Sequence, residues 1–428
     1  MKHTVHELKL GGGTEGLIID VPGATVASYQ IHFRAGNRYV ARTDAYEAAH
    51  VMEHMAFGAN AGYKDAHAYE AEFTKNGAYH NAYTSDISMV YVADCADFEW
   101  QRILDLKRVA ICSPKFNQEE LVSEMGNVKN ELTGYLNQHG RLLWPRIQQA
   151  LGEATLTFDE RLKRLDNVTL NDITKHHLAT HTKGNMRFVI AGKFGSRLDA
   201  IRTNLEQWDL PTGKRLVIPH EELTGSDPFL IRRKEASNIT FGMAMILPRR
   251  LSDPELEAMA CVDHILTGTL HSKILGKARK KGLAYGMFSD ASTYEYDSAW
   301  EFGGQVNIDT ADQLFDIIVE EVRAVLDGKV DSADIEAAKQ YALGKHQMGC
   351  QTVGNINNWY ADRYFFDGTI EDFDQRPAAI KAITKDMMVE TAREIARSGR
   401  WVLGAVGGVK LEDVKRLNEK LAPLFINS

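Results

Sequence analysis

The chain has 428 residues, of which 44% are hydrophobic and 25% charged, and its net charge is −8. This composition is typical of a globular protein with two domains of about 200 residues each. The acidic charge, without a stripe of Lys and Arg interleaved with aromatic residues, argues against a nucleic-acid partner.

The targeting and cysteine patterns add three expectations. No apolar run reaches about 18 residues, so the sequence predicts no membrane span. The first ten residues lack the apolar core of about 7 to 15 residues that a secretory signal needs, which predicts a cytoplasmic protein. The four cysteines show no CxxC spacing. They are typical of thiols in a reducing compartment and are not predicted to bind metal.

The first predicted helix carries two histidines. Residues 44–47 read as a capping box that would start this helix, and Gly58 would end it. His50 and His54 are four residues apart, so they lie one above the other on one helix face, and Glu53 projects beside them. A catalytic zinc ion with a bound water requires such a set of imidazoles and a carboxylate. Two histidines leave the third ligand position open.

The next informative helix, predicted over residues 119–138, supplies carboxylates for that position. Glu124 and Glu131 are seven residues apart and therefore share one side of the helix. Either could reach the metal while the other holds a ligand in place from behind. The other side of the helix is predicted to be buried, because apolar residues recur there at spacings of three and four: Leu121, Met125, Val128, Leu132 and Tyr135.

The surrounding sequence decides whether this motif is functional, because a bare HxxEH recurs by chance and a lone histidine is usually a core residue. Glu131 follows His54 by 77 residues. In this spacing and order, the motif resembles that of the inverted-zincin metallopeptidases pitrilysin, insulysin and the mitochondrial processing peptidase. Further matches are residues 33–38 before the motif helix, the helix itself at 49–57, and 76–85 followed by Tyr91.

The resemblance implies a zinc endopeptidase and gives each residue a role. His50, His54 and Glu131 would bind Zn²⁺, and Glu53 would be the general base. Glu124 is implied to support catalysis from behind the ligands. An edge strand formed by Asn81, Ala82 and Tyr83 would pair with an extended peptide substrate.

The chain also reads as two related halves. A capped helix followed by an apolar strand ending in Gly occurs over residues 168–192 and again over residues 383–407, about 215 residues later. The sequence therefore predicts an α+β fold of two homologous αβ domains. The predicted division is a metal-binding domain at 1–212, a linker at 213–228 and a domain without metal at 229–428.

The second half has no HxxEH motif of its own. In the inverted-zincin family that the sequence resembles, this half contributes an Arg and a Tyr that hold the substrate. Residues 281–285 are similar to the family segment that contains the Tyr, which makes Tyr285 the candidate. The expected place of the Arg, seven residues earlier, is Ala278, so Arg279 is the candidate, offset by one residue. An alternative interpretation is that 279–282 is simply a basic helix end with a Gly cap.

Two functions remain open from the sequence. The first is a zinc endopeptidase acting on peptides or unfolded segments. The second is a non-catalytic subunit that keeps the fold and binds peptides or a partner, which would have no need for Glu53 together with three ligands. The two-domain length is half that of the long family members, which predicts a homodimer, with a heterodimer as the alternative.

Overall fold

The computed structural model describes residues 1–425 as two compact units, each built on its own sheet. The first unit comprises residues 1–133, 159–219 and 348–371, and the second comprises the remaining described residues. Within residues 1–425, no helix has both the length and the apolar character needed to cross a bilayer.

The first unit contains a six-stranded sheet with helices around it. Its strands are β1 Thr4–Lys9, β2 Glu15–Asp20, β3 Val26–Phe33, β4 Tyr79–Thr84, β5 Met89–Ala96 and β6 Met186–Gly192. Its helices are α1 Ala48–Met55, α2 Ala66–Thr74, α3 Trp100–Cys112, α4 Gln118–Tyr135, α6 Phe158–Leu165, α7 Leu170–Thr180, α8 Leu198–Glu206 and α13 Val353–Asp367.

The second unit contains a five-stranded sheet. Its strands are β7 Phe229–Arg232, β8 Asn238–Leu247, β9 Met287–Thr293, β10 Ser298–Asn307 and β11 Trp401–Gly407. Its helices are α5 His139–Leu151, α9 Asp253–Asp263, α10 Lys273–Lys280, α11 Ala311–Leu326, α12 Ser332–Gly349, α14 Arg376–Ala382, α15 Lys385–Arg397 and α16 Leu411–Leu421.

The two sheets repeat one topology. Their strand orders are β1-β2-β6-β3-β5-β4 and β7-β11-β8-β10-β9, so the second order matches the first once β1 is removed. The parallel pairs, β2 with β6 and β7 with β11, also correspond. The predicted helix-then-strand segments are α7 with β6 and α15 with β11, and each helix has a Thr N-cap, Thr169 or Thr384. The predicted fold of two homologous αβ halves is thereby confirmed.

The units are not contiguous in sequence, unlike the predicted division at 1–212 and 229–428. Helix α5, from the first half of the chain, packs on β8 and β11 in the second unit, and α13, from the second half, packs on β3 and β6 in the first unit. Residues 208–228, which include the predicted linker, form no helix or strand.

Specific contacts seat each exchanged helix. In the second unit, Gly242 and Gly404 let α5 approach the sheet, since an added Cβ would lie 2.8 Å from Ile147 Cδ1 and 2.9 Å from Leu143 Cδ1, respectively. In the first unit, Asn357 of α13 donates through Nδ2 to the backbone oxygens of Ser28 (2.8 Å) and Val189 (3.1 Å).

Two arginines hold the C-terminal end of α13. Arg34 donates to the Phe366 carbonyl at 3.1 Å, and Arg215 donates to the Phe365 carbonyl at 2.5 Å. Cations are favourable at this end of a helix, because the last carbonyls are unpaired and carry partial negative charge. These bonds explain how Arg34 can be buried, and Arg215 half-buried, with main-chain carbonyls as partners.

Candidate metal centre

Helix α1 carries the HxxEH motif but begins later than the sequence predicts. A short 3-10 turn at Thr43–Ala45 precedes it, and the helix starts at Ala48. The predicted capping box at residues 44–47 is wrong. Glu47 occupies the N-cap position without a side-chain cap, because its carboxylate contacts His50 and Arg161 instead. The Asp44 carboxylate pairs with Arg42.

The two histidines of α1 lie on one face, as their spacing predicts. Helix α1 packs against α7 and the edge strand β4, and seven of its eight residues are buried. The ring centroids of His50 and His54 are 5.0 Å apart. His50 is buried and His54 is half-buried, and the side chains that contact each ring set its orientation.

Helix α4 brings both predicted carboxylates to this face. Glu131 Oε2 lies 3.6 Å from His50 Nε2 and 3.6 Å from His54 Nε2, whereas Glu124 Oε2 lies 3.1 Å from His54 Nδ1. One ligand atom from each of His50, His54 and Glu131 falls within 4.8 Å of the others. The geometry thus distinguishes the two carboxylates: Glu131 faces Nε2 of both histidines, and Glu124 faces Nδ1 of His54.

The hydrogen bonds at Nδ1 set the histidine tautomers. Glu47 Oε2 lies 3.0 Å from His50 Nδ1, and Glu124 Oε2 lies 3.1 Å from His54 Nδ1. An ionised carboxylate only accepts, so each Nδ1 carries a hydrogen, and in the neutral ring each Nε2 then has a lone pair facing Glu131. Two imidazole nitrogens and one carboxylate oxygen are a donor set that zinc binds, so the residues present fit a zinc ion.

The electrostatics of the site favour a cation. Burial alone would lower the pKa of His50, but the carboxylates of Glu131 and Glu47 outweigh it and raise this pKa to about 9. Burial likewise opposes protonation of His54, and Glu131 still raises its pKa. The carboxylates thus create a potential that stabilises positive charge on this helix face, whether a proton or a metal ion supplies it.

The predicted general base, Glu53, is buried beside the two rings. Burial raises the pKa of its carboxyl, and Glu131 adds to this effect, while His50, Thr84 and His54 oppose it. Thr84 belongs to β4, so Glu53 is close to both the histidines and the edge strand.

The predicted substrate strand is at the edge of its sheet. Asn81, Ala82 and Tyr83 lie in β4, which pairs with β5 on one side and ends the six-stranded order on the other. The Ala82 N–H donates to Asn81 Oδ1 at 2.9 Å. This N–H therefore points to the open side of the strand, where a further strand would pair.

Comparison with known proteins decides the family. The profile described as "Insulinase (Peptidase family M16)" matches residues 17–158, and that described as "Peptidase M16 inactive domain" matches residues 167–341. The chain belongs to the M16 peptidase family. The resemblance to pitrilysin and insulysin expected from the sequence is thus confirmed at the level of the family.

The relatives agree with this membership. YmxG of Bacillus subtilis (strain 168), described as an uncharacterised zinc protease, is 20% identical over 357 residues, or 81% of this chain and 85% of YmxG. A protease from Helicobacter pylori has the same fold, with a TM-score of 0.83 and 15% identity over 95% of this chain and 100% of that chain. A peptidase M16 inactive domain from Pseudomonas fluorescens also has this fold. Its TM-score is 0.81 and its sequence identity is 16%, and the match covers 95% of this chain and 98% of that chain.

The M16 inactive-domain match includes the predicted substrate residues of the second unit. Arg279, near the end of α10, donates to the Tyr285 carbonyl at 3.1 Å, and its guanidinium lies 4.5 Å from the Tyr285 ring centroid. Tyr285 is 89% exposed. The two residues therefore form one surface pair. Their role in binding substrate stays a prediction.

The second unit of this M16 chain has no counterpart of the metal site among residues 1–425, where His50, His54 and Glu131 are the one group of three with metal-binding geometry. In α9, Asp263 accepts a hydrogen bond from Trp300 Nε1 at 2.9 Å. The next residue, His264, stacks on Tyr341 with centroids 4.1 Å apart. Both side chains thus have structural partners.

Sequence reasoning missed two residues at the candidate metal centre, Glu47 and Arg161. Glu47 had a usable signal, because a carboxylate three residues before a helical histidine lies on the same face. Arg161 is 114 residues from Glu47 in sequence, on helix α6, and no local pattern indicates their pairing.

Proposed function

We propose that this chain is a zinc-dependent endopeptidase that hydrolyses peptides or unfolded protein segments. The observation that carries the proposal is the convergence of His50 Nε2, His54 Nε2 and a Glu131 carboxylate oxygen, with Glu53 buried beside them. A subunit without catalytic activity would have no use for a base at this position. The name of YmxG as a zinc protease supports the same function.

The proposed mechanism divides the work among the side chains of α1, α4 and β4. Zinc held by His50, His54 and Glu131 would act as a Lewis acid that makes a water molecule nucleophilic near neutral pH. Glu53 accepts the proton of the attacking water and returns it to the leaving amine. Glu124 holds the His54 ring from its Nδ1 side. In this mechanism Glu53 is the side chain that transfers the proton, and Glu124 positions a ligand.

The proposed substrate is an extended peptide, because β4 presents main-chain groups on its open side. Ala82 N–H faces this side, and in an antiparallel pair the same direction recurs at every second residue, here His80 and Thr84. Main-chain pairing with β4 depends little on the side chains of the peptide. An unfolded segment can supply such a strand, whereas a folded protein has its main chain already paired.

This substrate mode predicts a period of two in the effect of backbone methylation. The test uses a series of peptides, each with a single N-methyl group on a different residue outside the scissile bond. Methylation at every second position should lower kcat/KM by about 5- to 10-fold, because each lost hydrogen bond is worth about 1 kcal/mol. The intervening positions serve as matched controls, because their N–H groups point away from β4. A uniform loss, or none at any position, would contradict pairing with β4.

The proposed assembly is a homodimer, since one polypeptide carries both the metal-site residues and the Arg279–Tyr285 pair. In a cyclic two-fold dimer the same surface serves on both subunits. Mass measurement in solution at micromolar concentration, with activity followed on dilution, should show a dimer and a loss of activity as it dissociates. A fully active monomer would rule out a requirement for dimerisation, and an inactive chain rescued by a second protein would favour a heterodimer.

A further inference from the structure

Each histidine of α1 contacts a carboxylate at its Nδ1 atom, but the two carboxylates have different surroundings. The carboxylate behind His54, Glu124, has a side chain that is 24% exposed and accepts a second hydrogen bond from Asn127 Nδ2 at 3.0 Å. The carboxylate behind His50, Glu47, is completely buried. Glu47 therefore needs a countercharge from the protein, because burying an unpaired carboxylate is costly.

Arg161 supplies this countercharge. Its Nε lies 2.5 Å from Glu47 Oε1 and its Nη2 lies 2.9 Å from Glu47 Oε2, which is a bidentate pair. Glu47 Oε2 is also the atom that contacts His50 Nδ1.

We propose that Glu47 and Arg161 are positioning residues for the metal centre, with Arg161 acting on His50 through the Glu47 carboxylate. The contact at Nδ1 fixes the ring orientation and keeps the Nε2 lone pair directed toward Glu131. The bidentate pair fixes Glu47 in turn, because the guanidinium fork matches both carboxylate oxygens. Helix α6 thereby contributes to metal binding without touching the metal position.

This inference rests on the proposed zinc site and goes beyond it, because it predicts that residues outside the ligand set control zinc affinity. Loss of such a partner typically weakens metal affinity by about 10- to 100-fold. A purely structural pair would instead lower the stability of the apoprotein and leave the zinc dissociation constant of the folded protein unchanged. Zinc affinity and apoprotein stability therefore separate the two roles.

The test measures zinc affinity by competition with a chromophoric chelator, together with thermal unfolding of each apoprotein. Glu47→Gln, which is nearly isosteric, and Arg161→Met should each raise the zinc Kd by about 10- to 100-fold. The double variant should bind no more weakly than Glu47→Gln alone, because both changes remove the same interaction. Arg161→Lys keeps the charge and should recover part of the affinity, which covers the case in which Arg161→Met does not fold.

Arg42→Met is the matched control. Arg42 lies in the segment before α1, where it pairs with Asp44 and with Asp172 of α7. It contacts neither His50 nor His54, so its loss should leave the zinc Kd unchanged. Native-like zinc affinity in Glu47→Gln and Arg161→Met would overturn the inference, and additive effects would show that Arg161 does not act through Glu47. If the native chain binds no zinc, or if His54→Ala binds it equally well, the proposed function fails instead.

Discussion

Replacing Glu53 by Gln should reduce peptide hydrolysis by at least ~10²-fold while zinc remains bound. Gln has the size of Glu but cannot accept the proton of the attacking water, so the change removes the base and leaves the three ligands in place. Glu53 is not one of the residues whose atoms form the metal-binding group. The measurement is hydrolysis of a quenched peptide library, with zinc content determined on the same preparation.

Glu119→Gln is the matched control for this experiment. Glu119 lies in the first turn of α4 and is exposed to solvent, so the same chemical change should leave hydrolysis unchanged. Hydrolysis that persists at the native rate in Glu53→Gln would exclude Glu53 as the base or reveal a contaminating peptidase. No hydrolysis by the native, zinc-loaded chain would favour the alternative of a non-catalytic subunit.

The duplicated fold was predictable because its signals are local. Thr169 and Thr384 each begin a helix that leads into an apolar strand, and both helices and both strands form as expected. The exchange of α5 and α13 was not predictable. An amphipathic pattern shows that a helix buries one face but does not say which sheet covers it, and this choice depends on distant residues such as Gly242 and Ser28.

The candidate metal centre shows the same limit at the level of single residues. Periodicity placed Glu124 and Glu131 on one side of α4, but their spacing could not distinguish ligand from supporting residue. The distinction depends on which histidine nitrogen each carboxylate faces. The predicted capping box does not form, because the Glu47 carboxylate contacts His50 and Arg161 rather than the main chain near Asp44. The contact with Arg161 is tertiary, and no local rule indicates it.

Removing either His54 or Glu131 should abolish stable zinc binding. The native chain should carry about one zinc ion, and His54→Ala and Glu131→Ala should each lose it, because two remaining ligands cannot hold the ion tightly. Metal content after dialysis against a weak chelator measures this loss. Thermal unfolding of the apoproteins checks that the variants still fold.

Glu124→Gln is the variant that makes this experiment decisive. Glu124 lies on the same helix as Glu131 and also contacts His54, but at Nδ1 rather than Nε2. Its loss should weaken zinc binding by only about 10- to 100-fold, whereas loss of Glu131 should remove binding altogether. The reverse ranking would exchange their roles, and equal zinc content in the native chain, His54→Ala and Glu131→Ala would refute the site. The ranking follows from geometry alone, since the two glutamates differ mainly in which nitrogen of the ring they face.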